Sequence, residues 1–214
     1  VAVFAGTLFA GAEWGIGRND IQLAWGANFG PATTDGQWWR LASAMFLHFG
    51  VLHLAVNMAA LWDGGRLVER IFGRVRFLAI YLLAGLAGNL LSLVTHGTAV
   101  VSGGASGAVF GVYGALLAAI WREREILRGS EFRWLLWGAF AFTGANLGFG
   151  LLMPGIDNGA HVGGLIAGAI AFNYVVTAEN LPRTLGLLIK TYEFSPLGYL
   201  LMVNVLLLAL GCFL

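Results

Sequence analysis

The run Gly104-Ala105-Ser106-Gly107-Ala108-Val109-Phe110-Gly111 sets one serine among glycines at the head of an apolar stretch, and Gly159-Ala160-His161-Val162-Gly163-Gly164 does the same with a histidine. Serine is a poor nucleophile until a base takes its proton, and histidine has the ordinary pKa suited to that near neutrality. Reactive and ionisable groups are costly in lipid and mark function there. A serine and a histidine heading two apolar segments therefore point to hydrolysis inside a bilayer. The usual third member, a carboxylate orienting the histidine, has no candidate within the apolar segments. Asp157 lies in the loop before His161, and Asp63 sits at the far end of its own segment, so the reading is a dyad.

Acyl transfer also needs donors for the developing oxyanion. In His48-Phe49-Gly50-Val51-Leu52-His53-Leu54-Ala55-Val56-Asn57, His53 and Asn57 are four apart and share one helix face. They can aim a ring N–H and an amide at one oxygen. The backbone N–H of Ser106, at a helix start whose amides are unpaired and whose dipole favours negative charge, is a third donor. His48 is turned partly off that face and is expected to brace the neighbouring loop. A His and an Asn on one helix also serve as interhelical glue. No H-E-x-x-H is present, and no carboxylate stands by to complete a catalytic zinc shell. Neither a metal nor another cofactor is expected. The G-x-S-x-G elbow of soluble hydrolases is missing as well.

The elements that must position these residues are membrane helices. The 214 residues are 58% hydrophobic and 11% charged, with a mean hydropathy of +0.78, outside the range of a soluble domain. Twelve Lys and Arg nearly balance 11 Asp and Glu, and no aromatic-basic patch suggests nucleic acid. Cys212 is the sole cysteine, so no internal disulfide forms. The chain starts at Val1 with no Met and no basic leader, which suggests a trimmed or processed core. With roughly 17–25 apolar residues needed per span, the candidates are 1–17, 43–63, 76–95, 104–121, 133–152, 160–178 and 196–214. The connection 18–40, with Trp25, Phe29, Pro31, Trp38 and Trp39, suits the headgroup level.

Orientation follows from the cations. Arg66, Arg70, Arg74 and Arg76, then Arg122, Arg124, Arg128 and Arg133, then Arg183 and Lys190 fall in alternate connections, which face the cytoplasm by the positive-inside rule. The amino end is then inside and the carboxyl end outside. Spans two, four and six run inward, and His48 with His53, Ser106, and His161 fall in their first turns. All of them lie at one depth, just below the outer face. Gly107, Gly111 and Ala115 on span four, and Ala160, Gly164 and Gly168 on span six, recur every four residues. Such a small-residue seam lets two helices approach closely enough for a short Ser–His hydrogen bond.

These residues resemble the rhomboid family of intramembrane serine proteases over nearly the whole chain. Trp39-Arg40 resembles its first-loop motif, His48, His53 and Asn57 its second-helix pattern, and Glu69 with Gly73 its E-x-x-x-G turn. Gly104-Ala105-Ser106-Gly107 resembles its G-x-S-G motif, and Ala160-His161-Val162-Gly163-Gly164 its sixth-helix motif. Pro154-Gly155-Ile156-Asp157-Asn158 is common among bacterial members. The resemblance implies Ser106 as nucleophile, His161 as base, and His53, Asn57 and the Ser106 N–H as oxyanion donors, with His48, Gly104 and Phe110 in support. Phe110 stands where the family often has a tyrosine that stacks on the catalytic histidine; a phenyl ring can stack but cannot donate a hydrogen bond. The implied fold is an all-α polytopic membrane bundle, a six-helix core over 1–178 followed by a linker and a seventh helix over 179–214. Implied partners are single-span membrane protein substrates, cut near the outer surface where their helix unwinds, and membrane lipid.

Span five, rich in aromatic residues, is expected to act as a lateral gate or as lipid-facing bulk, and the loop Met153 to Gly159 as a cap. The expected location is a bacterial inner membrane. Two rivals are a rhomboid-like scaffold that binds membrane helices without cutting, and a small transporter. Intact Ser106 and His161 weigh against the first, and polar groups clustered near one face weigh against the second.

Overall fold

The computed structural model describes residues 1–15, 18–97, 100–122, 129–153 and 155–179, except the side chains of 131, 132 and 175–179. The chain divides into two compact units, Val1–Asn173 and Tyr174–Leu214. Of the second, only the end of one helix is described. The linker and the trailing helix expected over 196–214 lie outside the described residues.

The first helix, α1 (Ala2–Phe9), is much shorter than the span expected over 1–17. It ends at a turn in which Gly11 takes φ +97, and the stretch that follows carries Glu13, whose charge resists burial in lipid. The connection 18–40 folds into short pieces: α2 (Asn19–Ala24), β1 (Asn28–Phe29), α3 (Gly30–Thr34) and the start of α4 (Arg40–Ser43), which runs into a tight turn at Ala44–Phe46. Arg40 organises this segment. Its Nη1 donates to the carbonyls of Leu23 (2.8 Å) and Ala27 (3.0 Å), and its Nε to Gln37 (2.7 Å). Trp38 and Trp39 are left more than half exposed.

The second span begins later than expected. The chain bends by 93° between Arg40–Phe46 and Val51–Phe72, and Gly50, at φ +132, turns the corner into α5 (Val51–Ala60). His48 therefore precedes the helix rather than lying in its first turn. At the other end the helix passes through a widened turn at Leu61–Gly65 into α6 (Arg66–Phe72) and stops at Gly73, φ +77. The charges of Arg66 and Arg70 suggested a loop there, yet arginine at a helix end keeps its stem along apolar surface and its head in water without breaking the helix.

The remaining helices are α7 (Arg74–His96), α8 (Ser106–Arg122), α9 (Gly129–Leu152) and α10 (Asn158–Glu179), each overlapping its expected span. Among the described residues, α7 and Arg133–Leu152 of α9 are long and apolar enough to cross a membrane, and the bent pair makes a third candidate. The centre of the bundle is α8, buried at every residue from Gly107 to Leu116. By contrast α9 faces outward with Trp134, Trp137, Phe140 and Phe149, and turns Ala139, Phe142 and Thr143 inward. The expected all-α fold gains one small addition: β2 (Val101–Ser102) pairs antiparallel with β1, Asn28 opposite Ser102. This ladder ties the folded 18–40 segment to the residues that lead into Ser106.

Candidate functional site

Lipid offers no hydrophobic drive between helices, so close approach and dispersion must hold them. The expected seam is present between α8 and α10. A Cβ on Gly164 would overlap the carbonyl oxygen of Gly107, one on Gly168 that of Gly111, and one on Gly107 would press at 3.2 Å on that of Ala160. Gly114 extends the row, against Leu165 and Ala169. Helix α7 joins the same packing, where Gly88 abuts Ala160 and Gly163 abuts Ala87 and Leu91. Helix α10 is thus wedged between α7 and α8.

That wedge brings the two polar residues at the helix starts together. His161 Nε2 lies 3.0 Å from Ser106 Oγ. The ring of Phe110, one turn along α8, stacks on the imidazole with centroids 4.3 Å apart and planes 8° from parallel. It is backed by Phe142 of α9 at 5.9 Å. His161 is 7% exposed, and its Nδ1 is buried without a protein partner. Among the described residues, no carboxylate hydrogen-bonds this ring.

Ser106 is the first residue of α8, where backbone amides lack intrahelical acceptors. The approach to it is fixed by Gly104, whose N–H donates to the carbonyl of Ala44 at 2.8 Å and whose φ of +145 suits glycine alone. A side chain at 104 would also sit 2.8 Å from His53 Cε1 and 3.0 Å from its Nε2. The same built position is 3.6 Å from Ser106 Oγ, so the imidazole edge and the hydroxyl flank one small space.

His53 has a defined polarity. The Phe49 N–H donates to its Nδ1 at 3.3 Å. A backbone amide can only donate, so Nδ1 accepts and the neutral ring carries its proton on Nε2, the atom beside Gly104. Asn57 is buried and one turn below on the same face. One of its two amide protons goes to the His53 carbonyl at 2.8 Å, leaving the other free to point elsewhere. His48 packs edge-on against the His53 ring at 5.3 Å, and its carbonyl accepts from Gln22 Nε2, so it ties α5 to the folded 18–40 segment.

The loop before His161 holds residues that sequence reasoning passed over. The Asp157 carboxylate accepts from the hydroxyls of Ser92 and Ser102, from the Ala160 N–H at 2.9 Å, and lies 3.5 Å from His96 Nδ1. An aspartate three residues before the capped amide, just ahead of a helix, is a readable cap signal. Asn158 Nδ2 donates to the Leu147 carbonyl of α9 at 3.1 Å. Among the described residues, no three His, Cys, Asp or Glu side chains gather as for a metal ion. A cavity of about 590 Å³ between the Leu61–Gly65 turn, α6, α8 and α9 lies towards the other end of the bundle; Phe142 lines it, but Ser106, His161, His53, Asn57 and Asp157 do not.

Residues 35–178 match the family model described as Rhomboid domain. The chain belongs to the rhomboid family. The rhomboid protease GluP of Bacillus subtilis (strain 168) is 40% identical over 169 residues, which cover 79% of this chain and 31% of that protein. RHOMBOID-like protein 9, chloroplastic, of Arabidopsis thaliana is 34% identical over 72% of this chain and 35% of its own length. The putative rhomboid protease YdcA of Bacillus subtilis (strain 168) is 33% identical, covering 67% of this chain and 69% of that protein. The chain thus spans about a third of the first two relatives. Membership of this family and the apolar helices make it an integral membrane protein.

Proposed function

We propose that this chain is an intramembrane serine endopeptidase that cuts single-span membrane proteins near the outer membrane face. The observation that carries this reading is the 3.0 Å contact between Ser106 Oγ and His161 Nε2. In the reaction, Nε2 takes the hydroxyl proton as Oγ attacks the peptide carbonyl. The same proton then passes to the leaving amine, and water repeats the sequence to release the acyl group. Stacking by Phe110 holds the imidazole in plane. The His53 Nε2–H, the Ser106 N–H and the second amide proton of Asn57 are the donors for the oxyanion.

The membrane setting follows the arginines. With Arg66, Arg70, Arg74, Arg76, Arg122 and Arg133 on the cytoplasmic side, α5, α8 and α10 start near the outer face of a bacterial inner membrane. Substrate enters from lipid past α9, of whose apolar span only a small part is buried and whose outer face is bulky. The substrate helix must unwind locally, because a helical peptide bond is shielded by its own turn. A serine-directed fluorophosphonate tests the dyad: it labels the parent on Ser106, and spares Ser106→Ala wholly and His161→Ala largely. Equal labelling of the parent and His161→Ala removes the histidine from the mechanism.

A further inference from the structure

We infer that Asp157 is a positioning residue whose carboxylate sets the separation of Ser106 and His161 by tying together the segments that lead into each. This rests on the dyad proposed above and adds to it a residue that touches neither reacting atom. Its side chain is 10% exposed, so its contacts are little diluted by water.

Each oxygen has a distinct job. Oδ1 accepts from the N–H of Ala160, the residue before His161, and so caps α10 at the turn that carries the imidazole. The carbonyl of Asp157 accepts the His161 N–H itself at 3.2 Å. Oδ2 accepts from Ser102 Oγ at 2.5 Å. Ser102 is the last residue of β2, and only Gly103, Gly104 and Ala105 separate it from Ser106. The second hydroxyl on Oδ2, from Ser92, and the His96 ring beside Oδ1 anchor the carboxylate to the end of α7. Thr95 Oγ1 lies 3.0 Å from the same His96 nitrogen.

Gly103 and Gly104 follow Ser102, and Gly155 and Gly159 flank Asp157, so the tie spans two segments whose glycines leave the backbone few restraints of its own. The Gly104 N–H on the Ala44 carbonyl and the β1–β2 pairing hold the approach to Ser106 from one side, and the Asp157 carboxylate is what joins that approach directly to the start of α10. A carboxylate offers about four acceptor sites in one plane, enough for the two hydroxyls and the cap at once. An amide of the same shape loses one acceptor oxygen. Asp157→Asn keeps the cap, since asparagine caps as well as aspartate, but puts an NH2 where Oδ2 accepts two hydroxyls, so both ties must reverse direction and lose the strength that the carboxylate charge gives them.

The test compares parent, Asp157→Asn, Ser102→Ala and the double variant in proteoliposomes holding a single-span substrate, at a temperature well below the melting point of each. Misplacement of about 1 Å far from the chemistry can cost about 100-fold in rate, so Asp157→Asn is expected to lower kcat by 10- to 100-fold with KM within about twofold. Fluorophosphonate labelling of Ser106 slows by the same factor. Ser102→Ala gives a similar kcat loss, and the double variant is no slower than the worse single one, since both break one link. If Asp157→Asn does not fold, Ser102→Ala, which leaves the helix cap intact, decides alone. Normal kcat and labelling in a folded Ser102→Ala, or additive losses in the double variant, would overturn the positioning role. Ser106→Ala is run alongside: cleavage by that variant defeats the dyad itself, whereas a dead Ser106→Ala with a fully active Asp157→Asn defeats only the inference about Asp157.

Discussion

A methyl group added at Gly164 tests whether the seam sets the geometry of the dyad. Its built position overlaps the Gly107 carbonyl oxygen and lies 3.2 Å from the Gly107 Cα, where ordinary contact begins near 3.4 Å. Both neighbours are backbone of α8 and cannot rotate away, so the two helices must part by about 1 Å. Ser106 directly precedes Gly107, and His161 lies one turn before Gly164. Parting the helices stretches their 3.0 Å contact to about 4 Å, beyond the reach of a hydrogen bond. Gly164→Ala should therefore lower kcat by about 100-fold. Overpacking should also cost about 1–3 kcal/mol of stability, offset by up to about 1 kcal/mol from replacing a helix glycine. Gly144→Ala on α9 is the control: nothing lies within 4 Å of its added Cβ, so it should leave kcat unchanged and raise the melting temperature slightly. The assay is initial-rate cleavage in proteoliposomes, with a thermal melt on the same preparations. A folded Gly164→Ala that turns over at more than half the parent rate would refute the reasoning.

Asn57→Ala separates oxyanion donor from helix glue. Its one described hydrogen bond, to the His53 carbonyl one turn back in the same helix, is worth about 0.5–1.5 kcal/mol. Loss of a donor instead lowers kcat by roughly 10–100-fold with KM nearly constant, His53 and the Ser106 N–H compensating in part. A destabilised but kinetically normal variant would assign Asn57 to glue. Arg40→Lys gives up the planar fork that holds the Leu23 and Ala27 carbonyls and Gln37 together. It should cost about 1–3 kcal/mol of stability while leaving low-temperature kcat within twofold; an unchanged melt would show that the 18–40 segment does not depend on it.

Much of the site was legible because its residue types are costly in lipid and its glycines keep a strict spacing. Ser106, His161 and the small-residue rows of α8 and α10 follow from that pattern, and Phe110 stacks on His161 in the position the family resemblance assigned to it. His53 and Asn57 were readable from their i, i+4 spacing. The unread parts have physical reasons. Two-residue strands carry no alternation, so the pairing of Asn28 with Ser102 left no trace. The bend at Leu47–Gly50 lies inside an apolar run, where hydropathy continues while the backbone turns, and so His48 was placed on a helix it precedes. Arg66 and Arg70 suggested a boundary that the helix ignores. Asp157 reads as a loop residue in the sequence, because only the folded chain brings Ser92, Ser102 and the start of α10 to it.

Attack of Ser106 on the peptide bond is open to a simple comparison: the parent and Ser106→Ala are reconstituted in liposomes with a panel of single-span membrane proteins, and product is followed by mass. The hydroxyl is small and the seam does not use it, so Ser106→Ala should fold and melt like the parent. Loss of the nucleophile removes most of a rate enhancement that spans many powers of ten. The parent should cleave at a site near the outer face and Ser106→Ala should give no detectable product; cleavage by the variant at a tenth of the parent rate or more would rule Ser106 out as the nucleophile.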